Sequence, residues 1–221
     1  LVLSLNIETT GFDYVKDEIV GVSIGVERND KGIDSYYIPL RHKNYNANID
    51  LRDTMDFVQD LISNKRVLLF NRPFMFFFFE KESVVCDLNK THDVQIMLYL
   101  ATSKSCPSRT EYAKLFIPNI EIFDLDLSQQ NFSQFNPETV FVFSTQKALL
   151  NILLAEYVWF NYPMIHTIYK LDNRSNEVIR WFSKNTEIAI NYDFIKQKYN
   201  EVLRDIDNIK YQCKTVLGYE I

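Results

Sequence analysis

Three aspartates, Asp53, Asp56 and Asp60, fall on one side of a helical pattern and are the first candidates for holding a divalent cation. The same segment carries Leu51, Met55, Val58 and Ile62 at helical spacing, with Asp50 placed to cap it. That apolar stripe already accounts for the carboxylates as the solvated face of an amphipathic helix. Cysteine and histidine chemistry is no better supported. Cys86, Cys106 and Cys213 form no CxxC pair, and His42, His92 and His166 are equally scattered, so neither a zinc site nor a disulfide framework is expected. Aromatic residues Phe70, Phe74 and Phe76 to Phe79 could stack single-stranded bases, but at this density they read as core. Four patterns stand out in order: Leu5-Asn6-Ile7-Glu8-Thr9-Thr10-Gly11, Phe70-Asn71-Arg72-Pro73-Phe74-Met75, His92-Asp93 through Tyr99-Leu100, and Phe141-Val142-Phe143-Ser144-Thr145.

The elements that position these patterns follow from periodicity. Residues 1–7 form an apolar, β-rich run. Residues 18–28 alternate with Val20, Val22, Ile24 and Val26 on one face, and residues 34–40 make a third short strand. Short turns between them predict an antiparallel meander. A helix from Asp50 and a buried parallel strand at 66–70 come next, then helices around 74–82, 92–102, 108–116 and 138–158. A further short strand is expected at Glu121–Leu127. The sum is an α/β fold with a mixed sheet. In the tail, Ile195, Tyr199, Val202, Ile206, Ile209, Cys213 and Val216 are spaced alternately by four and three, an a/d seam on one long helix. That seam calls for a partner helix, either residues 174–184 or, preferably, a helix following this sequence.

Composition narrows the class. Of 221 residues 47% are hydrophobic, enough for a sizeable core. The net charge of −5 supplies no general field for a polyanion, so any nucleic-acid contact must be local. No apolar run approaches the roughly 18 residues of a membrane span. Leu1 is not an initiator methionine and no leader pattern follows it, so the chain is expected to begin within a longer protein in a reducing, cytoplasmic setting.

Taken together, the four patterns resemble the 3′–5′ proofreading exonuclease domain of family A DNA polymerases. That family carries Asp-x-Glu-Thr on its first strand, then His-Asn-x-x-Phe/Tyr-Asp, then a helix start ending in Tyr-Leu, and finally Tyr-x-x-x-Asp. The likeness covers about residues 1–158, and Tyr36 to His42 looks like the family's third strand. Asn176–Ile221, with Arg180-Trp181, Glu187-Ile188-Ala189-Ile190 and the heptad helix, looks like the opening of the polymerase domain that leads into the thumb, although Thr186 and Glu187 stand where the family has glycine. The resemblance implies a five-stranded ribonuclease H-like sheet flanked by helices, a domain at 1–158, a helical segment at 159–221, and a DNA primer-template as partner of the parent polymerase.

The family hydrolyses phosphodiesters with two divalent cations held by four carboxylates, and a Tyr helps place the water. Carried over by motif, the carboxylate positions here are Asn6, Glu8, Met75 and Thr145; Phe141 takes the Tyr place and Asn71 matches the second motif. Only Glu8 keeps a carboxylate, so the set carries about −1 where four carboxylates would give about −4, too little for two dications. The expectation is therefore a domain that has the fold without the reaction, with no metal or cofactor in this chain and Mg²⁺ only in a polymerase domain beyond it. A moved metal site using Asp93, Asp124 or Asp126 and an active nuclease is the first alternative. A stand-alone interaction module is the second.

Overall fold

The computed structural model describes residues 2–30, 32–43, 45–103, 108–123, 131–185 and 192–217. Strand β1 (Leu3–Thr9) lies in the middle of a five-stranded sheet. It pairs antiparallel with β2 (Ile19–Glu27), which pairs antiparallel with β3 (Ile33–Pro39). On its other side β1 pairs parallel with β4 (Val67–Leu69), and β4 pairs parallel with β5 (Thr91–Asp93). The order β3-β2-β1-β4-β5 is the mixed sheet that the sequence predicts. The fifth strand comes from Thr91–Asp93, a stretch with no alternating apolar signal. Residues 121–123 are not in a strand, and the rest of the expected Glu121–Leu127 strand lies outside the described residues.

Seven helices are described: α1 (Leu51–Asn64), α2 (Arg72–Lys81), α3 (Val94–Thr102), α4 (Arg109–Phe116), α5 (Pro137–Asn161), α6 (His166–Asn185) and α7 (Tyr192–Leu217). Their starts follow local chemistry. Asp50 accepts from the amides of Arg52 and Asp53, Asp93 from Gln95, Ser108 from Glu111, and Asn136 from Glu138 with Pro137 in the first turn. Asp53, Asp56 and Asp60 are exposed on α1, whose buried side is Thr54, Met55, Val58 and Ile62, as the stripe predicts.

The two sheet faces differ in kind. Leu3, Leu5 and Ile7 share a core with Met55, Val58 and Ile62 of α1 and Met75, Phe76, Phe78 and Phe79 of α2. The opposite face of β1 presents Ser4, Asn6 and Glu8, all buried, toward α5. Small residues on β2 admit that helix: a Cβ on Gly25 would come 3.2 Å from the Ala148 carbonyl oxygen, and Ser23 Oγ donates to the Ser144 carbonyl at 2.8 Å. The predicted single face for Val20, Val22, Ile24 and Val26 fails at its first member. The register shifts at Glu8/Thr9, and this bulge places Val20 with Phe132, Val140 and Phe143 rather than with Val22 and Ile24.

Two compact units result, Leu1–Arg180 and Trp181–Ile221. In the second, α7 is the long helix that the heptad spacing predicts, and its seam residues Tyr199, Val202, Ile206 and Ile209 are exposed. Among the described residues no helix is long and apolar enough to cross a membrane.

Candidate functional site

A polar ladder joins β1 to α5. Ser4, Asn6 and Glu8 recur with the period of a strand, and Ser144, Lys147 and Asn151 recur with the spacing of one helical face. Asn151 Nδ2 donates to Ser4 Oγ at 3.0 Å, and Asn6 Nδ2 donates to Ser144 Oγ at 3.2 Å. Lys147 Nζ donates to both Glu8 oxygens at 2.9 Å. Asn6 Nδ2 adds a bond to Glu8 Oε1 at 2.8 Å.

A second cation closes the site. From the first turn of α4, Arg109 Nη1 donates to Asn6 Oδ1 at 2.9 Å and to the Lys147 carbonyl at 3.2 Å. Both cations also lie over aromatic rings. The Arg109 guanidinium carbon is 4.7 Å from the Phe70 centroid, and Lys147 Nζ is 3.9 Å from the Phe143 centroid and 5.3 Å from that of Phe132. Glu8 is only 2% exposed, whereas the Lys147 side chain keeps 24% of its surface in solvent. Burial pushes the Arg109 guanidinium down to about 10 against the pull of Glu8 and Asp93, and it stays charged at neutral pH. Burial also lowers the Lys147 ammonium; Glu8 opposes that shift and Arg109 adds to it. Across the sheet Glu8 is in register with Gly21, where a Cβ would lie 2.1 Å from the Tyr37 hydroxyl oxygen. Tyr37 and His42 are in hydrogen-bond contact at 2.7 Å, and burial together with the Glu8 charge raises the Tyr37 phenol above its ordinary range.

Of the residues that the motifs single out, Asn6 and Glu8 meet directly. Asn71 is exposed, takes the left-handed conformation before α2 (φ 58°), and makes no side-chain cap bond. Met75 joins the apolar core on the other side of β1. Thr145 turns its hydroxyl back onto the Phe141 carbonyl at 2.6 Å, and Phe141 is 44% exposed. Lys147, Arg109, Ser144 and Asn151 were not anticipated. A signal for Lys147 exists, since it is the one Lys or Arg in the 25-residue helix Pro137–Asn161.

The donor set does not fit a pair of divalent cations. Such ions need several anionic oxygens within a few ångströms of each other. Here the one carboxylate gives both oxygens to an ammonium, and a guanidinium stands beside it. Among the described residues no three His, Cys, Asp or Glu side chains come together in a way that could hold a metal. Asp93 is committed elsewhere, accepting from the Arg72 amide at 2.8 Å and the Gln95 amide at 2.9 Å. Asp124 and Asp126 lie outside the described residues.

Beside Asp93, His92 gives a pH signature. Burial, with Arg66, Arg72 and His166 nearby, pushes its imidazole down to about 4 from 6.5. Between pH 6.5 and 4 the unfolded chain therefore binds a proton that the folded chain refuses, and stability falls as pH falls through that window. The loss attributable to His92 is up to about 3 kcal/mol. Asp93, raised by burial, acts in the opposite sense in its own window. Urea unfolding of wild type and His92→Gln at pH 7 and pH 4 isolates the histidine. Wild type should lose stability relative to the variant, and parallel pH profiles would refute the assignment.

Comparison with solved structures identifies the architecture. Brucella melitensis NrnC superposes with a TM-score of 0.57 at 11% identity, over 86% of this chain and 90% of that one. The apo form of a nuclease gives 0.56 at 11% identity, over 86% and 89%. The POL domain of Pol1 from M. smegmatis, in complex with DNA primer-template and dNTP, gives 0.57 at 12% identity, and it covers 99% of this chain but only 34% of that one. No protein-family model matches the sequence, and no curated protein matches it. At these identities the likeness is one of fold alone, a ribonuclease H-like mixed five-stranded sheet flanked by helices.

Proposed function

We propose that the chain is the exonuclease-like part of a family A DNA polymerase, residues 1–158, running into the helical start of the polymerase domain at 159–221, and that it does not hydrolyse phosphodiesters. One observation carries this reading: the only carboxylate retained from the family's set, Glu8, is neutralised through both oxygens by Lys147. The site retains no charge with which to recruit catalytic metal. Its role is then to support the polymerase domain and to contact DNA. The polymerase context is supported by the order of the four sequence motifs and by the 99% of this chain that the Pol1 structure covers, where the nuclease structures cover 86%. Primer-template DNA is the proposed partner, Mg²⁺ belongs to the polymerase domain, and the cytoplasm is the proposed setting.

The test is a 5′-labelled single-stranded oligonucleotide incubated with the protein in Mg²⁺ and then in Mn²⁺. The expected result is no shortening beyond a protein-free control. A ladder of products shortened from the 3′ end, abolished by Glu8→Gln, would overturn the reading.

A further inference from the structure

Loss of ligands is one way to silence a metal site, and occupation by protein cations is another. The two make different demands on the residues around the site. Ligand loss alone leaves neutral side chains and open space, whereas occupation puts positive groups where the ions would bind and ties them to the surviving ligands. Lys147 binds both Glu8 oxygens at 2.9 Å, the bidentate grip of a cation on a carboxylate. Arg109 does the same service for Asn6, binding its Oδ1 at 2.9 Å. The two are linked to each other through the Lys147 carbonyl, and each is held from behind by an aromatic ring, Phe143 for Lys147 and Phe70 for Arg109. A dication entering here meets like charge and must first displace the ammonium from Glu8.

We infer that Lys147 and Arg109 are built-in counter-ions that keep divalent metal out, so that restoring carboxylate ligands is not enough to reopen the site. The inference rests on the proposed loss of hydrolysis and adds its physical cause. It separates the two modes of silencing at one position. Asn6→Asp recreates the pattern Asp-x-Glu on β1. If ligand loss is the whole cause, that substitution gains metal. If the cations close the site, Arg109 pairs with the new carboxylate and metal binding appears only when Lys147 is also removed.

Mn²⁺ binding is measured by calorimetry, with electron paramagnetic resonance of the free ion, on wild type, N6D and N6D/K147M. Methionine keeps the length of the lysine stem. Circular dichroism checks folding, and N6D/K147Q, which retains a donor toward Glu8, takes the place of the methionine variant should that one not fold. The expected result is no measurable site at millimolar Mn²⁺ in wild type and N6D, and at least tenfold tighter binding in the double variant. Equal binding by N6D and N6D/K147M would overturn the inference, as would a folded double variant that binds no tighter than N6D. The oligonucleotide assay on wild type decides the proposed function independently: hydrolysis there sinks that reading, whereas N6D binding metal without help sinks only this one.

Discussion

Lys147→Met lowers the stability of the chain by about 3 kcal/mol in urea unfolding. The variant keeps the length of the lysine stem and loses the ammonium, together with its place over the Phe132 and Phe143 rings. What remains is Glu8, 2% exposed, with Asn6 Nδ2 as its hydrogen-bond donor. A buried carboxylate deprived of its counter-ion is costly, and removing one partner of a buried pair typically costs about 3–5 kcal/mol. Two features hold the figure to the lower end. Lys147 is partly solvated, so water can approach the carboxylate, and the Arg109 charge remains nearby. The double variant Glu8→Gln/Lys147→Met removes both charges and should recover most of the loss, because the cost arises from the orphaned charge and not from the absence of the pair. A double variant as unstable as Lys147→Met would show that the lost contacts of the ammonium with the rings, and not an orphaned carboxylate, set the effect.

The contrast between what was legible in the sequence and what was not lies along this same ladder. β1 was readable because residues 1–7 form an apolar, β-rich run, and α1 because Met55, Val58 and Ile62 mark one helical face with Asp50 at its start. The helix containing Lys147 was readable as an element. Its partner on β1 was not, because the distance in sequence between Glu8 and Lys147 is 139 residues and no local period encodes it. Motif carry-over placed Thr145 at the site. In the structure the Thr145 hydroxyl bonds its own helix, and the side chains at 144, 147 and 151 reach the strand. A threonine in a helix can satisfy its hydroxyl on the carbonyl four residues back, so its identity alone does not reveal which way it faces. β5 was missed for a different reason: Thr91–Asp93 is a strand of three residues, fixed by parallel pairing with β4 and not by its own pattern. Asp93 opens the helix expected around 92–102 and caps α3 through the Gln95 amide, a role that the family resemblance implies for it.

Asp93 also sets up the second large effect. Arg72→Ala should cost about 3–5 kcal/mol, a substantial share of the roughly 5–15 kcal/mol by which a folded chain is held together. Arg72 is 1% exposed and lies over Phe76, with its guanidinium carbon 5.5 Å from the ring centroid. Nη1 donates to the Thr91 carbonyl at 3.2 Å and Nη2 donates to the Asn173 carbonyl, so one side chain bridges α2, β5 and α6. Its charge also faces Asp93, which is buried and raised by that burial, with Arg72 pulling it back. Truncation removes a donor from each of the two carbonyls and leaves the Asp93 carboxylate with amide donors alone. Arg72→Lys should rescue little, because one ammonium cannot reproduce a fork that reaches two carbonyls in different directions. Hydrogen exchange gives the local readout. Asp93 N donates to the Tyr169 hydroxyl at 2.9 Å, and Tyr169 Oη donates to Asn173 Oδ1 at 3.2 Å, so the inner face of α6 is anchored through the same network. In Arg72→Ala the amides around Tyr169 and Asn173 should exchange faster than in wild type, while those of β2, remote from the network, keep their protection up to the new global limit. Full rescue by lysine, or unchanged exchange in α6, would show that the arginine merely fills space.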